Sequence, residues 1–87
     1  MSQDEYSELQ DALISEPELG AVVRGTGGVR KLRWAARGRG KRGGYRIIYF
    51  VQLQIDTIWM LTLYPKNVKD TIPAHILKQI REEIEDG

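Results

Sequence analysis

The sequence predicts an α+β fold in which a small antiparallel sheet carries helices packed on one face. Three features point there. Apolar residues recur at helical spacing near both ends of the chain, the stretch between them follows the strand period of two, and turn-rich links join its segments. With 87 residues there is room for a single domain, 1–87, and one modest core, because so short a chain buries only about 60–65% of the surface its unfolded form exposes. Cysteine is absent, so no disulfide supplements packing and thiolate metal sites are excluded.

The first helix is announced by Ser2-Gln3-Asp4-Glu5, a capping box in which a serine and a glutamate three residues on satisfy orphan backbone amides. Tyr6, Leu9, Ala12 and Leu13 form its apolar side and Asp4, Glu8 and Asp11 its wet side, until Pro17 and Gly20 close it. Ala21 to Arg24 is a short extended stretch running into Gly25-Thr26-Gly27-Gly28, which reads as flexible. From Val29 to Ala36 the residues alternate, Val29, Lys31, Arg33 and Ala35 on one side and Arg30, Leu32 and Trp34 on the other. Arg37 to Gly44 is a basic, glycine-rich hairpin loop. Tyr45 to Val51 and Thr57 to Tyr64 are rich in β-branched and aromatic residues and apolar on both sides, which predicts adjacent central strands turning at Gln52 to Asp56. Pro73 suits the first position of a last helix, whose stripe is Ile76, Leu77, Ile80 and Ile84.

Charge is the second organising feature. The formal net charge is only +1, yet between Glu18 and Asp56 no acid occurs while nine cations do: Arg24, Arg30, Lys31, Arg33, Arg37, Arg39, Lys41, Arg42 and Arg46. A solvated surface normally mixes both signs. An acid-free cationic stretch instead attracts a polyanion, and phosphate neutralisation dominates nucleic-acid affinity. Trp34, Tyr45, Tyr49 and Phe50 lie among these cations, where exposed rings stack on unpaired bases and buried ones simply build core. No segment approaches the roughly 20 apolar residues that span a bilayer, and Met1 to Glu8 lacks the basic-then-apolar order of a signal peptide. The expectation is a soluble cytoplasmic protein that engages no membrane.

Several chemistries are excluded by residue type and context. Gly38-Arg39-Gly40-Lys41-Arg42-Gly43 matches the dinucleotide fingerprint, but a strand follows it where that fingerprint needs a helix. His75 is the sole histidine, which rules out a two-histidine mechanism. Carboxylates for a two-metal site are missing near the cations, and no small-molecule cofactor is implied. If the polyanion is RNA, cleavage through the ribose 2′-hydroxyl needs a proton acceptor, a stabiliser of the crowded phosphate and a proton donor. A lysine serves as acceptor once neighbouring cations and partial burial ease its deprotonation, and Lys31, Lys41 and Lys66 are candidates. Arginine stays charged and chelates phosphate with paired hydrogen bonds, so Arg33 and Arg46 read as clamps. Tyr49 and Asn67 are candidates to donate or orient a proton. Arg30, Arg37, Arg39, Lys41, Arg42 and Tyr49 complete the expected RNA-binding set.

Four ordered blocks, Gly27-Gly28-Val29-Arg30-Lys31-Leu32-Arg33-Trp34-Ala35, Gly38 to Gly44, Arg46-Ile47-Ile48-Tyr49 and Leu63-Tyr64-Pro65-Lys66-Asn67, resemble the HigB-like branch of the RelE/ParE toxin superfamily. The resemblance covers roughly Tyr6 to the end. It implies the toxin of a type II toxin-antitoxin system, a metal-independent endoribonuclease that cuts mRNA on the ribosome and is neutralised by a cognate antitoxin covering the basic face. By that resemblance Lys31 and Arg33 fall where the family has two strand lysines, Arg46 matches its strand arginine, and Lys66 with Asn67 occupies its basic pair. Arg33 replaces a lysine of the pattern and Asn67 an arginine. The family normally opens with a strand ahead of the first helix, and that strand has no counterpart here. A second class stays open: a RelE/ParE-fold protein that binds without cutting, either a gyrase-poisoning ParE-like toxin or an inactive RNA-binding module.

Overall fold

The computed structural model describes residues 2–35, 44–68 and 72–86. Its elements run α1 (Gln3–Ser15), β1 (Ala21–Val22), β2 (Arg30–Ala35), β3 (Gly44–Gln52), a 3₁₀ turn (Leu53–Ile55), β4 (Thr57–Pro65) and α2 (Ala74–Asp86). The predicted α+β class and antiparallel sheet are present, with strand order β1-β2-β3-β4. The chain as given begins its regular structure with α1. Among the described residues no helix is long and apolar enough to cross a membrane.

Helix α1 starts at its predicted cap. Ser2 Oγ accepts the Glu5 amide at 3.2 Å, and its hydroxyl lies 3.3 Å from the Glu5 carboxylate. Leu9 and Leu13 are buried against Leu32, Ile47 and Tyr49, with Tyr6, Trp34, Tyr45, Val51, Ile58 and Met60 packed around them. Val29, Ile48, Phe50 and Leu77 form a second cluster, joined by Leu61, Tyr64 and Ile84. Ile47 and Tyr49 belong to the first cluster and Ile48 and Phe50 to the second, and successive strand residues point to opposite faces. The two helices therefore cover opposite faces of the sheet. This corrects the expectation of both helices on one face. The reason is that β3 is apolar on both sides, so each side needs its own cover.

Of the two strands predicted to be adjacent and central, β3 is central and β4 lies at the edge. Its two-sided apolar character arises because Ile58 and Met60 pack toward α1 while Leu61 and Tyr64 pack toward α2. The ladder between β3 and β4 contains a register shift at Ile48/Tyr49, and Leu61 is the extra residue. Such a bulge changes which face every later residue of the strand occupies.

The glycine-rich turn before β2 is built rather than loose. Thr26 is fully buried, its hydroxyl donating to the Val23 carbonyl at 2.7 Å and accepting the Val29 amide at 3.0 Å. Arg81 of α2 donates from Nε to the Thr26 carbonyl at 3.0 Å and pairs with Glu85 at 2.6 Å. Gly27 has φ +77°, and a Cβ there would stand 2.6 Å from Arg81 Nε. The turn and the last helix are thus keyed together. Helix α2 begins one residue after Pro73, whose carbonyl accepts the Leu77 amide at 3.2 Å.

Candidate functional site

The registers decide which cations meet. Arg33 stands directly opposite Arg46, Lys31 opposite Ile48, and Arg46 opposite Tyr64. Since β2 alternates and Ile48 packs toward α2, Lys31, Arg33 and Arg46 all rise from the α2 face. Lys31 and Arg33 are about 7 Å apart along the strand. Lys66 joins them from the turn after β4. Its amide donates to the Gly44 carbonyl at 3.0 Å, and its Cδ lies 2.8 Å from where a Gly44 Cβ would be. Gly44 shares the face of Arg46, two residues away, so the lysine stem crosses the cationic face of β3.

Arg33, Arg46 and Lys66 line an open cleft of about 320 Å³ with Trp34, Ala35, Gly44 and Tyr45. No carboxylate is among the described residues lining it. Lys31, half-buried, shares the face of Arg33 through its pairing with Ile48 but is not among the residues lining this cleft. Like charges directly opposite one another destabilise a sheet by several tenths of a kcal/mol. Placing Arg33 against Arg46 is therefore a cost that folding alone does not require, and a dianionic or bridging phosphate would reverse its sign.

No protein-family model matches the chain. The site stands on its geometry.

Arg46 Nε and the Tyr64 hydroxyl are buried with no hydrogen-bond partner among the described residues, and the two residues face each other across the ladder. A buried unsatisfied group costs about 1–3 kcal/mol, and native interiors rarely leave such groups unpaired. The sequence marks Tyr64 only as a strand end and a member of a motif block, with no site role. The one signal that would have found it is its pairing with Arg46, and that pairing depends on the bulge.

Other expected site residues fall elsewhere. Tyr49 is fully buried; its hydroxyl donates to the Pro17 carbonyl and accepts the Gly20 amide, both at 2.8 Å. It cannot stack on a base or transfer a proton in the cleft, so its expected RNA-binding role is corrected to a structural one: the ring faces α1, away from the cations. Arg30 also lies on the α1 side of β2, where its guanidinium donates to the Gly20 carbonyl at 2.7 Å and the Glu18 carbonyl at 3.4 Å. That binding assignment is corrected likewise, because strand alternation turns it from Lys31 and Arg33. Asn67 is exposed in the turn closed by the Val68 amide on the Pro65 carbonyl at 3.0 Å, next to Lys66 but outside the cleft lining. Arg37, Arg39, Lys41 and Arg42 lie outside the described residues. Among the described residues no group of metal-ligating side chains comes together.

The cleft can bind a phosphate through two arginines and a lysine. Its glycine supplies a direct test. The group a Gly44 Cβ would meet is the middle of a flexible side chain, so Gly44→Ala is expected to fold with a stability change within about 0.5 kcal/mol while displacing the Lys66 stem. Phosphate-ligand affinity, read by titration with a short oligonucleotide, should fall about tenfold, the equivalent of roughly 1.4 kcal/mol. Unchanged affinity would remove Lys66 from the site.

Proposed function

We propose that this chain is a RelE/HigB-like toxin: a metal-independent endoribonuclease that cuts mRNA on the ribosome in the cytoplasm and is held in check by a cognate antitoxin. The observation carrying this reading is that Lys31, Arg33, Arg46 and Lys66 share one sheet face, the last three lining a cleft without described carboxylates. The ordered motif blocks that resemble the family support it.

In the proposed reaction the ribose 2′-hydroxyl gives its proton to a lysine acting as general base, and its oxygen bonds to the adjacent phosphorus. The bond to the 5′-oxygen breaks, that oxygen takes a proton, and a 2′,3′-cyclic phosphate remains. Charge develops on the non-bridging oxygens, which Arg33 and Arg46 are placed to clamp with charge-assisted hydrogen bonds. Lys31 and Lys66 flank them and are the candidates for the proton transfers. Asn67, beside Lys66, is a candidate to orient the strand. The acid-free stretch gives an antitoxin a surface to mask with carboxylates, and the same cations meet the ribosomal and messenger phosphates.

Inducing the full chain without its antitoxin is expected to stop translation and leave mRNAs cut within their reading frames. Primer extension on total RNA reads the cuts. Growth arrest accompanied by double-strand DNA breaks and intact message would replace this reading with the gyrase-poisoning one, and binding to RNA with no cuts would leave an inactive module.

A further inference from the structure

We infer that the outer edge of β4 is a homodimer interface at which two copies of this chain join their sheets antiparallel. The inference is independent of the proposed catalytic activity. Among the described residues the sheet has two edges, and they differ sharply. β1 is two residues long, whereas β4 spans nine, Thr57–Pro65, with no strand on its outer side. An edge of that length presents a row of unpaired amides and carbonyls, and natural sheets blunt such edges with lysines, inward charges or proline. The segment Thr57-Ile58-Trp59-Met60-Leu61-Thr62-Leu63-Tyr64-Pro65 has no charged residue, and its proline comes last. Trp59 and Leu63 are 40% and 36% exposed on it. A polyanion has nothing to hold along this edge, because the cations gather at its far end around Lys66.

A second copy fits because the edge is complementary to itself. In an antiparallel pair related by a two-fold axis through the sheet, opposed residues must lie on the same face. The bulge at Leu61 puts Ile58, Met60, Leu63 and Pro65 on the α1 face and Trp59, Leu61, Thr62 and Tyr64 on the α2 face. A two-fold between Leu61 and Thr62 keeps the faces matched along the strand. It sets Met60 against Leu63, Trp59 against Tyr64 and Ile58 against Pro65 of the other copy. No like charges meet in that register, and the two phosphate clefts remain open at opposite ends of the joint.

Size-exclusion chromatography with light scattering on the full chain should give twice the chain mass at micromolar concentration, and Trp59→Lys and Leu63→Lys should each return it to one. A monomeric parent, or a dimer that survives both substitutions, overturns the inference. Should the lysine variants fail to fold, cross-linking decides: the chain has no cysteine, so Met60→Cys with Leu63→Cys should give a covalent dimer on mild oxidation. A Leu53→Cys control, outside the matched register, should not. Equal cross-linking of the two overturns the register. Protection of β4 amides that appears only when a different protein is added overturns the second copy as occupant in favour of a partner's strand.

Discussion

Arg46→Ala is expected to abolish growth arrest and to lower the rate of RNA cleavage by about 10²–10³-fold, the usual cost of deleting one preorganised stabiliser of developing negative charge. The same substitution should leave the fold intact and raise its stability slightly. Arg46 faces Arg33 across the ladder and buries an Nε that lacks a partner among the described residues, so its removal relieves a like-charge pair and an unsatisfied donor together. Activity lost while stability is kept or gained marks a residue retained for chemistry rather than for folding. Arg46→Lys keeps the charge and loses the paired hydrogen bonds, and an intermediate rate is expected. Because Lys66 and Arg46 line one cleft, a shared role on one phosphate should make the double variant lose much less than the product of the single losses. Cleavage of a defined message in a translation extract and thermal unfolding by circular dichroism provide the two readouts. A variant that cuts normally, or one whose inactivity follows unfolding, would sink the clamp role.

Much of the fold was legible because local signals agreed. The Ser2 cap, the Leu9/Leu13 stripe and the alternation through Leu32 and Trp34 each point the same way as the final packing. The cation set on β2 was legible for the same reason: a period of two is enough to put Lys31 and Arg33 together and to turn Arg30 away. Charge alone groups Arg30 with them, whereas the carbonyls of Glu18 and Gly20 that hold it come from a loop whose course no sequence pattern reveals.

What alternation could not supply is the relation between strands. Counting back from the turn, Gln52 pairs with Thr57 and Phe50 with Trp59; an unbroken ladder would bring Arg46 opposite Leu63. The bulge brings it opposite Tyr64 instead, moves Tyr64 to the cationic face and allows Lys66 to reach across Gly44. One inserted residue therefore assembles the cleft, and nothing in the composition of β4 announces it. The placement of α2 was missed for a related reason. A strand apolar on both sides says that two covers are needed without saying which helix supplies each.

Tyr49→Phe is expected to destabilise the protein by about 2–4 kcal/mol, since it strips the partner from the Gly20 amide and the Pro17 carbonyl and leaves both poorly solvated. In a domain of this size that is a fall in Tm of roughly 10–25 °C. The hydroxyl ties the centre of the sheet to both ends of the stretch 17–20 between α1 and β1, and the space around it is already full. A Cβ on Gly20 would stand 2.9 Å from both the Tyr49 ring and the Lys31 carbonyl, so Gly20→Ala should destabilise through the same contact. Combining the two should cost less than their sum, because each disrupts what the other needs. Below the transition, cleavage per folded molecule should match the parent, as the ring points away from the cleft. If Tyr49→Phe kept its Tm and lost cleavage, the ring would have to be an RNA contact and the orientation of β3 given above would be wrong.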